Sequence, residues 1–107
     1  MKEKKSDDYF VEIPAGISKD AMHRVVENAA QSEGMYISHI GGYSRVKYPN
    51  SVHWHFKRDK KEAGLLDATF WDVKNIFWLT IRHREPEWVH AMVPGFLDAI
   101  SKELKLI

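Results

Sequence analysis

The chain has 107 residues, 44% hydrophobic and 29% charged, a balance that argues against disorder and fits one folded domain with a modest core. It contains no cysteine, which excludes disulfides and thiolate chemistry and makes a reducing, cytoplasmic setting the expectation. Formal net charge is +1, so bulk charge points to no partner, and no apolar run approaches a membrane span, so no membrane partner is expected.

The opening MKEKKSDD is charged with no apolar stretch behind it, unlike a secretory signal. It reads as a disordered charged tail over residues 1–8, ahead of a single α+β domain over 9–107. YFVEIP (9–14) alternates and ends at a proline, which predicts a first strand. Ser18 is a good N-cap. Met22, Val25, Val26, Ala29 and Ala30 then recur at helical spacing, and Gly34 is a stop signal, so a helix is predicted from Lys19 to Glu33. MYISHIGGYSRVKY (35–48) predicts the next strand, with a bulge or bend at Gly41 and Gly42. PNS (49–51) is a turn, VHWHFK (52–57) a strand and RDKKEAG (58–64) a polar loop. LLDATFW (65–71) and IFWLTIRH (76–83) are two more strands, joined by DVKN, whose Asp72 and Asn75 suit a tight turn. The C-terminal segment is helical. Pro86 suits its first turn, and Val89, Val93, Phe96, Leu97, Ile100 and Leu104 form an apolar stripe. Pro94 and Gly95 inside that stripe predict a kink or a split.

The order β-α-β-β-β-β-α is most simply met by an antiparallel four- to five-stranded sheet with two helices packed on one face. This element order resembles the TATA-binding-protein-like and helix-grip architectures. The resemblance is one of topology, without a sequence motif, and carries over no functional residue.

Strand parity assigns the faces, because residues two apart point the same way. Val52, Trp54 and Phe56 are expected to face the helices, which turns His53, His55 and Lys57 outward. A three-residue PNS loop would pair Tyr48 with Val52 and Val46 with Trp54, adding Arg45 and Lys47 to the histidine face. A DVKN turn pairs Trp71 with Ile76, Phe70 with Phe77, Ala68 with Leu79 and Leu66 with Ile81. Asp67, Thr69, Trp71, Trp78, Thr80 and Arg82 then share the outer face. Between Glu33 and Asp59 there is no acid, yet that interval holds four Lys or Arg and three His, so the charge is unevenly spread.

Three functions compete for this outer face. Arg45, Lys47, His53, His55, Lys57 and Arg82 could neutralise phosphates while Trp71 and Trp78 stack bases, which describes nucleic-acid or other polyanion binding. The same aromatics could form a homodimer or other protein–protein interface. An H-x-H pair on one strand also projects two imidazoles the same way, and with Asp67 they could hold the metal of an enzyme. Against that stand the nearby cations and the lack of any register tying Asp67 to the histidines. No nucleophile motif or phosphate-binding glycine loop is present. The sequence therefore favours a binding or interaction module over an enzyme, with its basic, aromatic sheet face as the site, no catalytic residue and no metal or other cofactor.

Overall fold

The computed structural model describes residues 4–42 and 46–107. Its elements run in chain order as β1 (Ser6–Val11), α1 (Lys19–Ser32), β2 (Tyr36–Gly41), β3 (Val52–Lys57), β4 (Leu66–Trp71), β5 (Ile76–Arg82) and α2 (Glu87–Leu104). The strands form one antiparallel sheet in the order β1-β5-β4-β3-β2, giving the expected α+β topology.

Local chemistry sets the boundaries. The Ser18 hydroxyl accepts the Ala21 N–H at 3.0 Å and caps α1, and Gly34 follows the helix at φ +76°, a conformation glycine adopts without steric cost. Asn75 ends the β4–β5 turn at φ +53°, with its N–H on the Asp72 carbonyl at 3.1 Å. Asparagine tolerates that region better than most residues.

Alternation then builds the core. Trp54 and Phe56 of β3, Leu66, Ala68 and Phe70 of β4, and Phe77, Leu79 and Ile81 of β5 are all buried. They pack against Met22, Val25, Val26 and Ala29 of α1 and Val89, Phe96 and Ile100 of α2. Both helices therefore cover one face, as the apolar periodicity requires. The Trp54 indole N–H donates to His23 Nδ1 at 3.1 Å, so its one polar atom is satisfied despite complete burial. The β4–β5 register is the expected one: Trp71 opposes Ile76, Phe70 opposes Phe77 and Ala68 opposes Leu79.

Three local expectations differ from the structure. The first strand starts at Ser6, inside the segment expected to be a tail, because Ser6 to Val11 pair with Arg82 to Phe77 along the edge of β5. The bulge lies between Ile37 and His39, not at Gly41–Gly42. Finally, of the two outcomes expected at Pro94 and Gly95, a kink or a split, the split does not occur: the helical span of α2 is continuous through both residues. Both residues are solvent-exposed, so the lost backbone hydrogen bond falls on the wet side of the helix, where water can serve the freed carbonyl.

Candidate functional site

The face away from the helices is organised by three registers. In the β3–β4 ladder, His55 lies directly opposite Asp67 and His53 opposite Thr69. In β4–β5, Asp67 pairs with Thr80, one step short of Arg82 on the same face. In β2–β3, Ser38 is the extra residue between the pairs Ile37–Phe56 and His39–His55. A regular strand with Ile37 on the core would turn His39 to the core as well. The bulge reverses that parity, a use to which bulges are commonly put, and sets the His39 and His55 rings 5.2 Å apart. Gly41 completes the arrangement: a Cβ there would stand 3.0 Å from His39 Nε2, so glycine leaves room for the ring.

The result is a cluster of His53, His55 and Asp67, with one donor atom from each within 4.8 Å of the others. His55 Nε2 is 3.5 Å from Asp67 Oδ1, and His53 Nε2 is 3.8 Å from Asp67 Oδ2. Asp67 is 1% exposed and His53 6%, whereas the His55 side chain is 30% exposed and opens the cluster to solvent. Arg82 Nη1 sits 2.8 Å from Asp67 Oδ2 and 3.9 Å from Glu85 Oε2. Despite that ion-pair distance, neither Asp67 oxygen receives a well-aligned hydrogen bond from the described residues. A buried carboxylate without such donors is costly.

Protonation follows from this environment. Burial pushes the Asp67 carboxyl above its ordinary range, against the opposing pull of Arg82 and His55. Burial also lowers His53 to about 4, assisted by the positive charge of His55, Arg82 and His39. His53 is thus neutral at pH 7. Its Nδ1 is 2.7 Å from the Thr69 hydroxyl oxygen. The tautomer that donates Nδ1–H to Thr69 leaves an unprotonated Nε2 facing Asp67, the state a metal ligand needs.

No known protein family, curated protein or solved structure matches this chain. The reading of the site therefore rests on its own geometry.

The other expected site residues are placed as follows. Arg45 lies outside the described residues. Lys47 is exposed in the turn after β2, with Nζ 5.5 Å from the Tyr48 ring centroid, and is not on a strand of the histidine face. The expected pair Val46–Trp54 does not form, because Ile40 takes the position opposite Trp54 and Gly41 the one opposite His53. Tyr48 instead folds over the sheet, 5.1 Å from the Trp71 ring and 5.3 Å from the Trp78 ring. Phe10 of β1 covers Trp78 from the other side at 5.7 Å, leaving Trp78 only 4% exposed. Trp71 is half-buried and its indole N–H donates to the Pro49 carbonyl at 3.1 Å. The two tryptophans are on the predicted face, but the aromatic surface is largely used by the protein's own rings. Lys57 ends β3 on the same side by alternation. His39 is the member of this constellation that parity arguments missed, since nothing in ISHIGG marks Ser38 as the bulged residue.

Proposed function

We propose that the protein binds a divalent transition-metal ion, of the class of Zn²⁺, through His53 Nε2, His55 Nε2 and the carboxylate of Asp67. The observation that carries the reading is the buried Asp67 carboxylate, directly opposite His55, with Arg82 near Oδ2 and no hydrogen-bond donor at Oδ1 among the described residues. Around a tetrahedral zinc with bonds of about 2.0–2.1 Å, donor atoms stand roughly 3.3 Å apart. His55 Nε2 stands 3.5 Å from Asp67 Oδ1, close to this value. His53 Nε2 is 3.8 Å from the other oxygen, and with one donor atom from each residue within 4.8 Å of the others the side chains must draw together by up to about 1.5 Å to share one ion.

The surroundings support the same reading. Thr69 orients the His53 ring from its far nitrogen, as outer partners of metal-bound imidazoles do. Arg82 approaches Oδ2, while Oδ1 faces His55, so the carboxylate can serve the ion through Oδ1 and keep Arg82 on Oδ2. Three nitrogen and oxygen ligands on a partly open face leave one coordination position for water or a small ligand, the arrangement of reactive rather than purely structural zinc sites.

The test is titration of chelator-stripped protein with Zn²⁺ by calorimetry, and with Co²⁺ by visible absorption. One equivalent should bind, with the intense d–d bands of a four-coordinate Co²⁺ site. His53→Ala and Asp67→Asn should each abolish this binding, while His83→Ala should not. No uptake at micromolar metal, or uptake indifferent to the His53 and Asp67 changes, would remove the proposal.

A further inference from the structure

We infer that a second site, a groove where β1 meets the end of β5, binds a terminal phosphate group, either inorganic phosphate or a phosphate monoester. The groove has a volume of about 510 Å³ and is lined by Lys4, Lys5, Ser6, Arg82, His83 and Arg84. That volume lies within the range of small-ligand sites. Five of the six side chains carry basic nitrogen, and no carboxylate is among them.

Which of those charges are already used decides the matter. Asp7 takes Lys4 at 3.5 Å and His83 at 3.2 Å. Arg82 is shared with Asp67 and Glu85. Lys5 and Arg84 have no carboxylate within ion-pair distance among the described residues, and they supply the groove's surplus positive charge. A phosphate monoester carries about −1.5 to −2 at pH 7, which matches two uncompensated cations. Arginine offers a planar fork suited to two oxygens of one phosphate, and the Ser6 hydroxyl supplies a further donor.

The backbone makes this a built concavity. Ser6 pairs with Arg82 across the β1–β5 ladder, and the His83 N–H donates to the Lys5 carbonyl at 2.9 Å. The two segments that line the groove are therefore fixed to each other. A terminal phosphate fits better than a nucleic-acid strand. A strand needs a track of cations and open rings to stack on, and here Trp78 lies beneath Tyr48 and Phe10. This inference requires no metal, and its test uses metal-free protein, so its failure is distinguishable from failure of the His53–His55–Asp67 reading, although the two share Arg82.

The experiment is NMR titration of chelator-treated protein with inorganic phosphate, with a phosphate monoester such as glycerol phosphate, and with a single-stranded oligonucleotide lacking terminal phosphates. Phosphate and the monoester should shift the backbone amides of residues 4–6 and 82–84. Lys5→Ala and Arg84→Ala remove one charge-assisted contact each, which predicts about tenfold weaker binding. These side chains hold no ion pair among the described residues, so the variants should stay folded. Lys74→Ala, in the β4–β5 turn at the opposite end of β5, is the control for bulk charge. The inference is overturned by no shifts at millimolar phosphate, or by equal weakening in the control. Binding of the oligonucleotide with both small phosphates inert would overturn it as well.

Discussion

Replacing Asp67 with Asn separates a ligand from a structural ion pair, because the two roles predict opposite signs. The carboxylate is 1% exposed and has no well-aligned hydrogen-bond donor among the described residues, and burial is the largest influence on it, raising its pKa. The fold therefore disfavours the charged form. An unsatisfied buried polar group costs about 1–3 kcal/mol, more if charged. Against this, the Asn variant loses the Arg82 contact. Arg82 is 38% exposed and stays near Glu85, so that loss is of the size of a surface ion pair, about 0–1 kcal/mol. The balance is a gain of about 0–3 kcal/mol in metal-free protein near pH 7, or roughly 4–8 °C in Tm for each kcal/mol in a domain of this size. A carboxyl whose folded pKa is raised loses stability as pH rises through that pKa, so the advantage of Asn should shrink toward its ordinary value of 3.8. The assay is thermal unfolding by circular dichroism with chelator present, alongside metal titration of the same variant. A drop in stability of more than about 1 kcal/mol would identify Asp67 as a structural partner of Arg82 and refute the reasoning.

Three further outcomes are expected. Trp54→Ala should cost about 3–5 kcal/mol in urea unfolding, since the ring is fully buried and its N–H serves His23; a cost near 1 kcal/mol would mean that this core relaxes around the cavity. Metal-free protein should lose stability as pH falls from 6.5 to about 4, because His53 binds its proton in the unfolded chain before the folded one; the loss is at most about 3 kcal/mol, and a His53→Gln variant with an unchanged slope would assign it elsewhere. Gly64→Ala should destabilise by about 1–3 kcal/mol, because Gly64 sits at φ +107° with its missing Cβ only 2.6 Å from Pro86 Cγ; an unchanged urea midpoint would contradict that strain.

Much of the architecture was legible because it depends on local period and parity. Val52, Trp54 and Phe56 could share the core only if His53 and His55 pointed outward, and the DVKN turn set the β4–β5 register residue by residue. The first strand's true start was hidden because SDD carries no apolar signal of its own; it is a strand only through pairing with Thr80, Ile81 and Arg82. The β2–β3 connection was misread for a related reason. A tight PNS turn was locally plausible, and a turn does form there, with the Ser51 N–H on the Tyr48 carbonyl at 3.2 Å. That turn, however, sets Tyr48 against Trp71 and Trp78.

The candidate site was only half legible, and the missing half is register between strands far apart in sequence. The outward direction of His53, His55 and Asp67 followed from alternation within each strand. Their meeting depended on the seven-residue RDKKEAG loop and the alignment it sets, which no periodicity reveals. One residue of slip in β3–β4 would put Asp67 and the histidines on opposite faces, and the core would lose Trp54 or Ala68 with them. The burial of Trp54, Phe56, Leu66 and Phe70 thus also locks His55 onto Asp67. The same packing that stabilises the domain holds a carboxylate where its own charge is penalised, and the fold tolerates this with Arg82 on one oxygen. Arg82 also lines the basic groove at the end of β5, so a phosphate bound there would compete for the charge it places on Asp67. A cation at Oδ1 would relieve that competition.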